Sequence, residues 1–101
     1  MIVLHASFPI QGEKLDEALE LADNLVDESN QEPGMIDYRA TQDIQDETVI
    51  RFFEQYEDGE AFESHTQTDH FQEFEEELGD LLAGEPEILR FDVAEASELE
   101  L

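Results

Sequence analysis

Apolar residues alternate with polar ones from Ile2 to Ile10, with Ile2, Leu4, Ala6 and Phe8 on one side and Val3, His5 and Ser7 on the other, the period of a strand. After Gly12 the spacing changes. Leu15, Ala18, Leu19, Ala22, Leu25 and Val26 recur every three or four residues, which predicts an amphipathic helix of about four turns ending before Pro33-Gly34. Met35 to Thr41 and Thr48 to Tyr56 read as two strands of a hairpin, joined by the polar stretch around Asp43 to Glu47. A short helical turn from about Asp58 carries Ala61, Phe62 and His65. Thr68 or Asp69 can then cap a second long helix, on which Phe71, Phe74, Leu78, Leu81 and Leu82 keep helical spacing until Gly84 and Pro86. Glu87 to Ala94 is the last predicted strand. Residues 1–96 thus read as one domain and 97–101 as an acidic tail.

The order strand, helix, strand, strand, helix, strand predicts an α+β fold of the ferredoxin-like, split βαβ type, a four-stranded antiparallel sheet with its helices on one face. One parity (Ile2, Leu4, Ala6, Phe8; Ile36, Tyr38, Ala40; Leu89, Phe91, Val93) is assigned to the helices, which leaves Val3, His5, Met35, Arg39, Ile88 and Arg90 on the other face. In the third strand Ile50 and Phe52 alternate with Val49 and Phe53, so both of its faces are expected to be covered. Arg39, Arg51 and Arg90, the only arginines, all fall within strands. Arginine suits desolvated pairing with carboxylates, and Asp37 and Asp92 share parity with neighbouring arginines. The expectation is a homodimer joined sheet to sheet, with Arg39, Arg51 and Arg90 in its interface; the alternative is a monomer with an open sheet.

Composition changes the picture in one respect. Asp and Glu number 29 against 4 Lys and Arg, a net charge of −25. Such a surface repels phosphates and anionic lipid, so neither nucleic acid nor membrane is an expected partner. No apolar run reaches the length of a membrane span and no export signal precedes the first strand, so a cytoplasmic location is expected. Like charges four apart (Glu13/Glu17, Asp16/Glu20, Asp23/Asp27, Glu73/Glu77, Glu76/Asp80) repel in dilute buffer and are screened in concentrated salt. The charge therefore reads as adaptation to a salt-rich cytoplasm; the rival reading, a mimic of nucleic acid, suits a single acidic stripe better than a charge spread over two helices and several turns. Without cysteine there is no disulfide, thiolate metal site or cysteine nucleophile.

The segments Glu32-Pro33-Gly34 followed by Tyr38, Phe53-Glu54-Gln55-Tyr56, Ala61-Phe62-Glu63-Ser64-His65 and Asp69-His70-Phe71 resemble the antibiotic biosynthesis monooxygenase family, including its quinol monooxygenases, over nearly the whole chain. The resemblance implies a dimeric α/β barrel with a pocket between helices and sheet in each subunit. The family includes oxygenases that need neither metal nor flavin, haem-degrading enzymes and an isomerase of a small phosphorylated molecule. The haem-degrading branch carries a tryptophan where this chain has His65, an asparagine on the first strand that is missing here, and an iron-ligating histidine at a position falling near Glu75. Arginines directed at a partner sheet leave no phosphate site for the isomerase reaction.

A cofactor-free oxygenase acting on a quinol or phenol-like compound is the remaining specific reading. Its substrate must first be made electron-rich, because triplet oxygen does not react directly with singlet molecules, and that requires a base in a dry pocket. His65 is the candidate base and Glu54, on the parity of Phe52 and Tyr56, its partner. Phe52, Phe71, Phe74 and Phe91 could wall a pocket for an aromatic ring. Tyr38, Phe62 and His70 join them as candidate substrate contacts from the matching segments. The plainer reading makes the phenylalanines ordinary core and the cleft a binding site for an apolar molecule without catalysis. No metal site is expected, since His65 and His70, five apart on one continuous helix, would point about 140° apart, and His5 belongs to the opposite sheet face. Glycine-rich phosphate loops and nucleophile elbows are absent from the sequence.

Overall fold

The computed structural model describes residues 1–100. Leu101, the end of the predicted tail, lies outside the described residues. Strand β1 (Ile2–Pro9) leads through a 3-10 turn at Gly12–Lys14 into helix α1 (Leu15–Ser29). Strands β2 (Met35–Asp43) and β3 (Asp46–Tyr56) form the hairpin, longer than the sequence pattern indicates. Helices α2 (Gly59–Thr66) and α3 (Asp69–Leu78) follow, and β4 (Glu87–Asp92) closes the order. The four strands form one antiparallel sheet in the order β2-β3-β1-β4, the ferredoxin-like arrangement. None of the helices is long and apolar enough to cross a membrane, among the described residues.

The inner face of the sheet carries the core. Ala6 and Phe8 of β1 and Ile50 and Phe52 of β3 are buried with Ala18, Ala22 and Leu25 of α1 and Phe74 of α3, while Ile2, Leu4 and Tyr56 form a second cluster under Ala61 and Phe62 of α2. Phe8, Phe52 and Phe74 meet edge to face with ring centroids 5.5–6.1 Å apart, the geometry favoured by the ring quadrupole. Helix α3 stops at Leu78, short of the predicted Gly84. The following turn instead lays Leu81, 3% exposed, onto the end of β1, where its carbonyl accepts from Gln11 N and Ala83 N donates to Pro9 O.

Two face assignments differ from the expectation. Met35 pairs with Tyr56 but Asp37 pairs with Gln55, so Ile36 is the extra residue of a bulge. The bulge turns Met35 into the core and leaves Ile36 48% exposed, while Tyr38 and Ala40 point inward as predicted. The Asn30 side chain holds the bulged strand, accepting from Tyr38 N and donating to Tyr38 O. The second difference lies in β4. It pairs with β1 as Leu4↔Arg90 and Ala6↔Ile88, so Ile88 and Arg90 share the helix side of the sheet, and Leu89 and Phe91 share the outer side with His5 and Val3. The more apolar parity of β4, Leu89 and Phe91, thus faces outward, and the register with β1 decides which side is inside.

The outer face is consequently more apolar than the sequence suggests. One row across the sheet runs Arg39, Phe53, His5, Leu89, and the next Asp37, Gln55, Val3, Phe91. Phe53, Leu89 and Phe91 are 42–48% exposed there. Arg39 and Arg51 lie on this face, as expected, but each pairs within its own chain, with Asp37 and Asp43, both at 3.0 Å. Arg90 does not lie on it. Its guanidinium stands 5.6 Å over the Phe62 ring on the helix side and touches Asp92 at 3.3 Å, so the register that inverts β4 also removes Arg90 from the outer face.

Candidate active site

Three short local devices bring the site together. Asp58 Oδ1 accepts from Ala61 N at 2.8 Å and starts α2. Thr68 ends α2 and begins α3: its hydroxyl donates to His65 O at 2.7 Å and accepts from Phe71 N. Between α1 and β2, Glu32 N donates to Ser29 O and Met35 N to Glu32 O, a turn completed by Gly34 at φ +82°. A β-carbon on Gly34 would sit 2.7 Å from Ala61 Cβ, so this turn packs against α2 only with glycine there.

The break at Thr68, where the pattern starts a new helix, removes the single-helix condition under which His65 and His70 would point about 140° apart. They sit on different helices, with ring centroids 6.1 Å apart, and both meet one carboxylate. Glu32 Oε2 lies 2.8 Å from His65 Nδ1 and 2.6 Å from His70 Nε2. The far nitrogen of His70, Nδ1, is 3.9 Å from Glu28 on α1.

His65 is 1% exposed, with its ring among Phe71, Tyr38 and Tyr56 at centroid distances of 4.9–5.5 Å. Burial lowers its pKa below the ordinary histidine value, against the pull of the Glu32 hydrogen bond and charge, and with a smaller contribution from His70. A neutral imidazole has one N–H. With Nδ1–H donating to Glu32, Nε2 keeps a bare lone pair, and Nε2 has no hydrogen-bond partner among the described residues.

His65 forms part of the wall of a cavity of about 160 Å³, lined also by Leu4, Ala6, Phe8, Tyr38, Glu54, Phe62, Phe71, Phe74 and Ile88. Glu32 is not in that wall; Nε2 lies across the ring from the nitrogen Glu32 holds and is itself buried. The walls are apolar apart from His65, Glu54 and the Tyr38 phenol. Glu54 is 7% exposed and accepts from Tyr56 OH at 2.6 Å. Burial pushes the Glu54 carboxyl up to about 7, aided by the charge of Glu32 and opposed by the Tyr56 hydrogen bond. Burial first, then the Glu54 charge, drives both the Tyr38 and the Tyr56 phenol far above their ordinary range, so both keep their protons.

Of the predicted residues, His65, Glu54, Tyr38, Phe62, Phe71 and Phe74 therefore share one cavity. Phe52 lies beneath it in the core, in edge contact with Tyr38 and Phe74. His70 stands behind Glu32, outside the cavity wall, and Phe91 is on the outer face of the sheet. The partnership expected between Glu54 and His65 is not made: Glu54 bonds Tyr56, and Glu32 takes the imidazole. Glu32 belongs to the Glu32-Pro33-Gly34 segment, which was legible in sequence but carried no sign of a contact 33 residues downstream. The Glu54–Tyr56 bond was within reach of the pattern, since residues two apart on a strand share a face.

Comparison with known proteins agrees with the architecture. Over 98 residues the chain is 33% identical to the uncharacterized protein sll1783 of Synechocystis, covering 97% of this chain and 67% of that protein. It is 32% identical to YcnE of Bacillus subtilis over 94% of this chain and all of YcnE. A crystal structure of a conserved protein from Methanosarcina mazei superposes with a TM-score of 0.85 at 29% identity, covering 89% of each chain. The sequence model of the family described as antibiotic biosynthesis monooxygenase matches residues 1–77. The chain belongs to the antibiotic biosynthesis monooxygenase family.

Proposed function

We propose that the protein is a cofactor-independent monooxygenase of a single-ring quinol or phenol, with His65 as the general base. The observation that carries this reading is the buried and unpartnered Nε2 of His65, a residue that lines an apolar cavity, while Glu32 holds the ring's other nitrogen. A cavity of about 160 Å³ is below the range of about 300–1,000 Å³ that takes drug-sized ligands. It suits one aromatic ring. Tyr38, Phe62, Phe71 and Phe74 supply flat apolar contacts, and Glu54 offers a carboxyl that titrates near neutrality to the second hydroxyl of a quinol.

In this scheme Nε2 takes the phenolic proton and Glu32 stabilises the imidazolium that forms. The resulting phenolate is electron-rich enough to pass an electron to oxygen. For a hydroquinone the balance closes without another reductant: hydroquinone and O2 give a hydroxyquinone and water, the ring supplying the electrons, one oxygen atom entering it and the other leaving as water. Apolar walls exclude bulk water from the intermediate.

The reading extends to the surface. A second copy covers the outer face, where Phe53, Leu89 and Phe91 lie exposed beside Arg39 and Arg51, and the enzyme works in a salt-rich cytoplasm.

Oxygen uptake with a panel of hydroquinones in concentrated potassium chloride is the test. The wild type consumes oxygen. His65→Ala loses about 10²–10⁴-fold in kcat, the usual worth of a positioned base. His5→Ala, on the far side of the sheet, keeps its activity. Saturable binding of a quinol without oxygen uptake would replace the enzyme by a binding module of the same fold.

A further inference from the structure

Proton abstraction at Nε2 accounts for one nitrogen of His65. The other belongs to a cluster outside the cavity wall, in which His65 Nδ1, His70 Nε2 and a Glu32 carboxylate oxygen lie within 4.8 Å of one another. We propose that these three atoms bind one divalent transition-metal ion of the zinc type, and that the bound ion converts Nε2 of His65 from a proton acceptor into a donor.

The donor set selects the ion. Two imidazoles and one carboxylate suit zinc, cobalt or nickel, whereas magnesium and calcium take oxygen ligands. The geometry is close to a site already. Both imidazole nitrogens converge on Glu32 Oε2, at 2.8 and 2.6 Å. A metal bonds nitrogen at about 2.0–2.1 Å, so an ion entering at that convergence point needs the carboxylate to back away and the rings to close by about 0.5–0.8 Å. The larger movement falls on Glu32, a flexible side chain on a turn, and the smaller on His65, which is packed among aromatic rings.

Two further features fit a metal ligand set. His70 turns its far nitrogen towards Glu28, 3.9 Å away and beyond hydrogen-bond distance, on the side from which an outer carboxylate commonly orients a metal-bound histidine. His70 also opens onto a cleft of about 450 Å³ between α1 and α3, whose rim includes Asp27, Glu28, Glu73 and Glu77. Four carboxylates at the mouth concentrate cations where the imidazole is reached.

The consequence for the cavity follows from valence. In the metal-free protein the single N–H of neutral His65 faces Glu32 and Nε2 carries the lone pair. When an ion occupies Nδ1, the only place for that hydrogen is Nε2, the atom that has no partner now. His65 then presents a donor, and a phenolic proton loses its imidazole acceptor. Zinc is a brake in this scheme and takes no part in the oxygen chemistry.

Calorimetric titration of the EDTA-treated full chain with zinc, in molar potassium chloride and excess magnesium to suppress binding by surface carboxylates, tests the site. The expected result is one zinc per chain and, with cobalt, visible ligand-field bands of a low-coordinate site. His70→Ala and Glu32→Gln weaken zinc by more than the about 10–100-fold that loss of an outer partner brings, and Glu28→Gln weakens it within that range. His70 is at the surface, so His70→Ala is expected to fold, which circular dichroism checks. Zinc also moves the His65 proton from Nδ1 to Nε2 in 15N spectra. Binding that magnesium abolishes, or that His70→Ala leaves unchanged, overturns the proposal. These readouts need no substrate, so they stand apart from the oxygen-uptake test; where turnover is present, zinc suppresses it and EDTA restores it.

Discussion

Raising potassium chloride from about 0.1 M to about 1 M, which shortens the Debye length from about 10 Å to about 3 Å, increases the melting temperature by roughly 4–16 °C. The pairs Asp16/Glu20 and Asp23/Asp27 lie on α1, and Asp69/Glu73 and Glu73/Glu77 on α3, each four apart on one helix. The two helices then face each other across the cleft with Asp27, Glu28, Glu73 and Glu77 on its rim, so repulsion within each helix is compounded by repulsion between them. Together these contacts cost about 1–2 kcal/mol in dilute buffer, at a few tenths per pair plus the interhelical term. Each kilocalorie shifts a domain of this size by about 4–8 °C. Salt also screens the pairs Arg39–Asp37, Arg51–Asp43 and Arg90–Asp92, but these are surface contacts, few against a net charge of −25. Scanning calorimetry across the series checks the prediction, and a flat curve contradicts it.

Glu54→Gln stabilises the protein by about 3 kcal/mol at pH 8, and the gain vanishes towards pH 4.5. Burial raises the folded-state pKa of Glu54 from 4.5 to about 7. Below pH 4.5 both folded and unfolded chains carry the proton, and there is no penalty. Between 4.5 and 7 the unfolded chain ionises while the folded one stays protonated, so stability falls as pH rises. Above 7 the full cost of a buried carboxylate is present. Glutamine removes the charge and keeps an oxygen to accept from Tyr56 OH, now 2.6 Å from the carboxylate. His65 acts with the opposite sign: its pKa is lowered, so its contribution is lost as pH falls through the ordinary histidine value. Subtracting the variant from the wild type cancels His65 and isolates Glu54. Denaturant midpoints at pH 4.5, 6 and 8 measure the difference; equal stability of the two proteins at pH 8 refutes the buried charge. A stabilised variant with weakened quinol turnover would be the usual exchange of stability for function.

Much of this architecture is visible in the pattern of side chains. The three-four spacing from Leu15 to Val26, the alternation from Ile2 to Phe8 and the caps at Asp58 and Thr68 are local signals, and the helices and strands they announce are present. What the pattern cannot carry is register. A one-residue bulge at Ile36 leaves no mark on hydrophobicity, and β4 turns its more apolar parity, Leu89 and Phe91, outward because its pairing with β1 sets its orientation. The same limit governs the site. His65 and its aromatic neighbours follow from spacing, but the carboxylate that orients it comes from a turn 33 residues earlier, and only the fold brings them together. Glu54, polar and inward-facing, suits that role by parity alone, but its own neighbour Tyr56 satisfies it first.

The arrangement on which the chemistry rests is the proton on His65. 15N-detected imidazole spectra of the EDTA-treated protein at pH 7 in molar potassium chloride read it directly. The account predicts a neutral ring with its hydrogen on Nδ1, bonded to Glu32, and a bare Nε2 that shifts when a phenol enters the cavity. A hydrogen on Nε2, or a doubly protonated ring at that pH, would leave the cavity without a base and contradict the proposed reaction.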